Sequence, residues 1–214
     1  MDAGAIAFIV DAVGQPTMLS GRDPTIPVHP AASIRLRALV PARALAAFRP
    51  VHLVPPRVLA ADPALAALGP LDAVVVGKLL SIADMVRAPA AVDGLLDRLR
   101  AVATARPLVA DLCDHLPAQG AVEGSDAPRR LVAGLGGLAH LTVPTEALGA
   151  ELAGHARRGI SVVEDPYEGE AGAPRGPRPE GPVRLAWFGL ITAESARPLV
   201  AGLRTIAARR LDRP

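Results

Sequence analysis

The stretch Ala73-Val74-Val75-Val76-Gly77-Lys78 (AVVVGK, residues 73–78) decides the fold class. It is apolar at every position up to the glycine, where a strand with one wet face would alternate. A continuous β-branched run of this length suits a strand buried on both faces, the position strands take inside a parallel sheet. Downstream, the spacing of Val92, Leu95, Leu96 and Leu99 predicts a helix from about Pro89 to Ala103. Leu108–Cys113 reads as the next strand, and Pro117–Pro128 as a loop broken by Gly120, Gly124 and Asp126. A short helix is expected over Arg129–Leu135, then a strand at Leu141–Val143. Thr145 is placed to cap a helix carrying Leu148, Leu152 and Ala156, and Ile160–Glu164 closes the series.

Upstream of the deciding strand the same alternation holds. Gly4–Val10 (GAIAFIV) and Val51–Val54 are strand candidates. Between them Ser33 offers an N-cap to a helix reaching Ala47, with Leu36, Leu39, Val40 and Ala44 along one face. Pro41 falls inside that helix, so a kink or restart is expected there. Strands alternating with helices imply an α/β, Rossmann-like parallel sheet covered by helices on both faces, with right-handed crossovers.

Composition shifts after residue 167. Glu168–Pro182 (EGEAGAPRGPRPEGP) is dense in glycine and proline and reads as a linker. Val183–Phe188 (VRLAWF) then reads as a new strand, Gly189 as a turn, and Ala193–Arg210 as an amphipathic helix. The expected organisation is a first domain at 1–167, a linker at 168–182, and the opening βα unit of a second, incomplete domain at 183–214. A lone βα unit leaves backbone groups and an apolar face unsatisfied. It must pair with the first sheet, pair with another chain or stay loose, and truncation of a longer protein is the simplest account.

Bulk properties narrow the function classes. The chain has 214 residues, half of them hydrophobic but only 2% aromatic, with 23 basic against 21 acidic side chains. The charges are spread along the chain, and a nucleic-acid partner would want clustered positive charge and exposed aromatics. The mean hydropathy of +0.32 comes largely from alanine, and no apolar run is long enough to span a bilayer. The N-terminus lacks a basic signal region, and the single cysteine, Cys113, cannot form an internal disulfide. A cytoplasmic protein is expected, with peripheral membrane association left open.

Ligands of open parallel sheets bind beyond the carboxyl ends of the strands. Lys78, Asp111, Asp114, His115, Thr145 and Glu146 all lie at or just past such ends. Lys78 is the only lysine among the 23 basic residues, and its compact ammonium suits a phosphate or a sugar hydroxyl as well as plain solvent. Asp111, Cys113, Asp114 and His115 crowd one strand end with no second cluster, so no metal is expected. Cys113 reads as a small buried residue. Arg35, near a helix N-terminus, is a better candidate for an anionic group than Arg37, which faces elsewhere on the helix; a solvated face is its other reading. Thr145 and Glu146 fit a cap with dipole complementarity as readily as a ligand contact. Gly134-Leu135-Gly136-Gly137 does not follow a strand and is no dinucleotide fingerprint.

Several segments, taken in order, resemble bacterial group-1-like glycosyltransferases of the GT-B fold. They are Ala32–Leu39 (ASIRLRAL), Asp72–Lys78 (DAVVVGK), Ala110–His115 (ADLCDH), Leu141–Leu152 (LTVPTEALGAEL), Val162–Glu168 (VVEDPYE) and Arg184–Gly189 (RLAWFG). Two departures stand out. The glycine-rich loop many relatives carry after the first strand is missing, and their E-x7-E donor motif would lie past residue 214. The resemblance implies sugar transfer from a nucleotide-sugar donor to a carbohydrate or other hydroxyl acceptor, with no further cofactor. It makes the first domain the acceptor side, and a missing second domain, or a second chain, the grip on the nucleotide. It also implies that His115 or Asp114 contacts the transferred sugar; by position at strand ends and helix starts, Arg35, Lys78, Asp111, Thr145 and Glu146 are the substrate-binding candidates, and Gly189, before a helix, is placed to bring backbone amides to a diphosphate. Packing or capping explains His115 and Asp114 nearly as well. The alternative is a non-catalytic Rossmann-like binding module, or half of a split enzyme.

Overall fold

Alternate side chains of the first strand enter two different cores. In β1 (Ala5–Ile9), Ala5, Ala7 and Ile9 join one buried cluster, while Phe8 and the flanking Val10 join another. A strand buried on both faces in this way must sit inside a sheet with cover on each side. The computed structural model describes residues 4–166, 200–202 and 204–205, and it separates a unit at Met1–Gly169 from one at Glu170–Pro214.

The first unit is α/β. Its strands β1, β2 (Thr17–Leu19), β3 (Val51–Val54), β4 (Leu71–Val76), β5 (Leu108–Asp111), β6 (His140–Val143) and β7 (Ile160–Val162) form one sheet in the order β2-β3-β1-β4-β5-β6-β7. All neighbours are parallel except β2 and β3, which pair antiparallel at the edge. The valine-rich run lies between β1 and β5 in the middle of the sheet, as its composition requires.

One face carries α5 (Ala90–Ala105), α6 (Leu116–Val122), α7 (Ala127–Leu138) and α8 (Glu146–Leu152), whose leucines and valines pack on Val74, Val76, Ala110, Leu141 and Val143. Short helices α3 (Val58–Ala61) and α4 (Ile82–Arg87) add Leu59 and Met85 to the same cluster. The other face is covered over β1 and β3 by α1 (Ala32–Ile34), a π-helical stretch Arg35–Leu39 and α2 (Val40–Ala46), through Leu39, Ala42 and Ala46. Farther along this face Val75, Val109 and Thr142 are half-buried and line an apolar groove of about 630 Å³.

Several boundaries depart from the sequence reading. Pro117–Pro128 is not a loop: α6 occupies Leu116–Val122, with Pro117 in its first turn, where a missing N–H costs nothing. Gly120 is buried in that helix because a Cβ would meet the Ser125 carbonyl and the Pro128 ring at 2.8 Å. Ser33 is not an N-cap. Ala31, extended after Pro30, starts the helix with no side-chain cap, and Ser33 falls inside the first turn. The strand expected to reach Cys113 ends at Asp111, and Cys113 is half-buried rather than buried. Strand β2 and helices α3 and α4 have no counterpart in the sequence reading; each is too short to show a period. The linker, the strand at 183–188 and Gly189 lie outside the described residues. Of the expected last helix, the described residues 200–202 and 204–205 are helical.

Candidate functional site

From β1 the chain crosses to β3 on one side, then returns past β1 to place β4 on the other. At such a reversal the loops leaving the two central strands diverge, and a crevice opens beyond their carboxyl ends. Here it is lined by Val10 after β1, Ser33, Ile34 and Arg37 from the covering helix, Gly77 and Lys78 after β4, and Asp111 and Cys113 from the end of β5. A second, small hollow adjoins it, sharing Gly77, Lys78, Asp111 and Cys113 and running under Leu79 and Leu80 toward α5, α6 and α7.

Arg37 reaches the crevice because of Pro41. A regular helix would set the proline ring against the carbonyl of residue 37 and lose a hydrogen bond there. The helix instead widens into the π stretch just before it, with the Val40 N–H bonding the Arg35 carbonyl. Such π bulges are often found at functional sites. Arg37 is thereby buried at 8% exposure against Asp111, also at 8%. Its Nε donates to Asp111 Oδ2 at 2.9 Å and its Nη2 to Oδ1, a two-pronged pairing that fixes both planes. Nη1 donates to the Val163 carbonyl and to Asp165 Oδ1 at 3.2 Å, and Thr142 Oγ1 donates to Asp111 Oδ1 at 2.7 Å. Burial opposes the guanidinium charge, but the bonds and charges of Asp111 and Asp165 outweigh it and hold the Arg37 pKa above the ordinary arginine value.

Lys78 and Asp114 form a second pair, more open to water. Lys78 Nζ donates to Asp114 Oδ2 at 2.9 Å, with the two side chains 40% and 32% exposed. Desolvation works against the ammonium, yet the Asp114 carboxylate raises the Lys78 pKa on balance. Beside them Cys113 Sγ lies 3.7 Å from Asp114 Oδ2, and burial, reinforced by the Asp114 charge, pushes the thiol pKa up to about 11. Cys113 is therefore a protonated thiol at neutral pH and a poor nucleophile.

The remaining sequence candidates hold local structure. His115 caps α6, its Nδ1 accepting from the Ala118 N–H at 2.9 Å, while Nε2 lies 3.9 Å from Glu151 Oε2. Thr145 caps α8 by accepting from the Leu148 N–H at 3.2 Å, and Glu146 stands exposed in the first turn, where a carboxylate complements the helix dipole. Arg35 braces the segment before α1, donating to the carbonyls of His29 at 2.9 Å and Pro30 at 2.8 Å. Of the sequence candidates, Lys78, Asp111 and Asp114 meet around the two hollows; His115, Arg35, Thr145 and Glu146 do not line them. Arg37 rather than Arg35 enters the crevice, and Gly77 and Cys113 complete it. A buried carboxylate at the end of β5 calls for a cation, and Pro41 four residues after Arg37 is the sequence signal that could have pointed to it. Among the described residues no three His, Cys, Asp or Glu side chains converge as a metal site, and no helix is long and apolar enough to cross a membrane.

Comparison with known proteins gives no match to a family model, a curated protein or a solved structure.

Proposed function

We propose that this unit is the acceptor-binding side of a sugar-transfer enzyme of the GT-B type. The observation that carries the reading is the crevice at the strand-order reversal, with Lys78 in its lining and Asp114, bonded to Lys78, in the adjoining hollow. The ordered run of sequence segments resembling that family supports it. In this reading an acceptor hydroxyl lies against Asp114, which takes its proton as the oxygen attacks the anomeric carbon of a nucleotide-sugar. The bond from that carbon to the diphosphate breaks, and the nucleoside diphosphate leaves. Lys78 orients Asp114, and Arg37–Asp111 holds the crevice wall rigid. Placing the base before reaction is how a fixed site lowers the barrier.

A second reading, a non-catalytic binding module, is favoured by one observation: the charges at the crevice are already paired, Arg37 with Asp111 and Lys78 with Asp114. Amide spectra of the full chain separate the two. Titration with a panel of free sugars and with UDP- and GDP-sugars should shift Gly77, Lys78 and Cys113 with an acceptor but not with the nucleotide. Nucleotide binding in the crevice tighter than that of any hydroxyl compound would overturn the acceptor-side assignment. In a transfer assay supplied with a donor-binding partner, Asp114→Asn should cut turnover while leaving acceptor affinity within a few-fold. An equal loss in both favours the plain binding module.

A further inference from the structure

We propose that His140 and Ser161 form a catalytic pair that hydrolyses esters with an apolar acyl chain. The pair stands at the β6–β7 end of the sheet's open face and owes nothing to the sugar-transfer reading.

His140 begins β6, and Ser161 lies in β7 opposite Thr142. His140 and Thr142 are two residues apart, so all three side chains rise from one face of the sheet. The imidazole bridges two oxygens: Nδ1 lies 3.2 Å from the Arg158 carbonyl, and Nε2 lies 2.9 Å from Ser161 Oγ. A carbonyl can only accept, so the ring proton sits on Nδ1 and Nε2 accepts from the Ser161 hydroxyl. This is the tautomer a general base needs, with a carbonyl in the orienting role that a carboxylate fills in many hydrolases. Gly159 leaves room for the bridge. Its φ is +98°, and a Cβ there would crowd His140 Nδ1 at 3.0 Å.

Ser161 is exposed, so its hydroxyl is open to substrate. At the edge of the sheet, β7 pairs with β6, and the Val163 N–H bonds the Val143 carbonyl. By strand alternation the Val162 N–H then points out from the edge. Next in sequence to the nucleophile, it is a donor available to a developing oxyanion.

The neighbours of the pair set the substrate class. Val109 stands opposite His140 and Thr142 opposite Ser161, and both line the apolar groove together with Val163, two residues past the serine. From there the groove runs on to Val75 and is far roomier than the crevice or its adjoining hollow. From β6 to β4 it covers about 10 Å, two strand spacings, which suits an acyl chain of medium length. Such a chain gains by covering the valines while its carbonyl meets Ser161.

In the reaction, Ser161 Oγ attacks the ester carbonyl as its proton passes to His140 Nε2. The tetrahedral intermediate expels the alcohol, which takes that proton and leaves the acyl group on Ser161. Water then attacks the acyl carbon, giving a proton to Nε2. The carboxylic acid leaves, and the serine oxygen recovers its proton from Nε2.

The experiment gives the full chain p-nitrophenyl acetate and p-nitrophenyl octanoate, following p-nitrophenol release and the intact mass of the protein. After subtraction of the uncatalysed rate, octanoate should exceed acetate in kcat/KM by about tenfold or more, as burial of the longer chain favours it. Peptide mapping should place the acyl group on Ser161. Ser161→Ala and His140→Gln should each lose about a hundredfold or more, the scale of general-base catalysis, while melting close to the parent. Val163→Ser should narrow the preference for octanoate. Acylation elsewhere than Ser161, a rate unchanged in Ser161→Ala or in His140→Gln, or no preference for the longer chain overturns the proposal.

Discussion

Replacing Arg37 by methionine would strand Asp111, 8% exposed, without its counter-charge. Breaking a buried pair from one side costs about 3–5 kcal/mol, whereas replacing both members by apolar residues is often close to neutral. Urea denaturation should show Arg37→Met far less stable than the parent, with the double variant Arg37→Met, Asp111→Leu recovering most of the loss. Costs that simply add would mean the two side chains are not coupled. Cys113 gives a pH prediction. Its thiol pKa rises from 9.0 to about 11 on folding, so between those values the folded chain holds a proton that the unfolded chain has lost. Stability must then fall as pH rises through that window, by about 2–3 kcal/mol for a shift of this size. Lys78 acts in the same direction at higher pH: its raised pKa adds stability that is complete below 10.5 and lost above its folded value. Alkaline melting curves should start to drop near pH 9 in the parent chain, and Cys113→Ala should remove that first part of the decline. An unchanged curve in the alanine variant would show that the thiol does not titrate as placed.

Helix α7 shows why one element was legible in the sequence and another was not. The Gly134-Leu135-Gly136-Gly137 run was recognisable as no dinucleotide loop, because no strand precedes it, and its use is packing. A Cβ on Gly136 would come within 2.0 Å of the His155 carbonyl oxygen, and one on Gly134 within 2.5 Å of Leu96 Cδ1. The first obstacle is backbone and cannot yield; the second is the end of a flexible side chain. Gly136→Ala should therefore cost about 1–3 kcal/mol by overpacking, and Gly134→Ala clearly less, measured as shifts in denaturation midpoint. The reverse order would mean that the turn at Ala153–His155 moves more easily than Leu96. The central strands and α5 could be read directly, since three valines in a row and leucines at helical spacing each state a period. Helix α6 was hidden because Pro117 and Gly120 are breakers by type. In place, one sits in a first turn and the other permits close contact with the turn into α7. The site was legible to the same degree. Strand ends marked Lys78, Asp111 and Asp114, but Arg37 depends on a π register that no regular period announces.

At the scale of the molecule, the Arg37 cluster ties the end of the first unit to its middle. Val163, just past β7, donates its N–H to the Val143 carbonyl at 2.8 Å and accepts from Arg37, and Asp165 takes a further bond from the same guanidinium. The unit therefore does not finish at its last strand. Its two cores and seven-stranded sheet lie within Met1–Gly169, so a fragment ending at residue 169 should fold alone and unfold in one cooperative step. A fragment ending at residue 162 keeps all seven strands but strips Arg37 of its outer partners. Hydrogen bonds to a charged group are worth about 1.5–3 kcal/mol, which for a chain of this size corresponds to a melting temperature lower by roughly 5–10 °C. The shorter fragment should melt lower by that margin, and the gap should shrink when both carry Arg37→Met, because the exit then has nothing to hold. Equal melting of the two fragments with Arg37 intact would show that the segment after β7 contributes nothing to the unit, and that Arg37 serves the crevice alone.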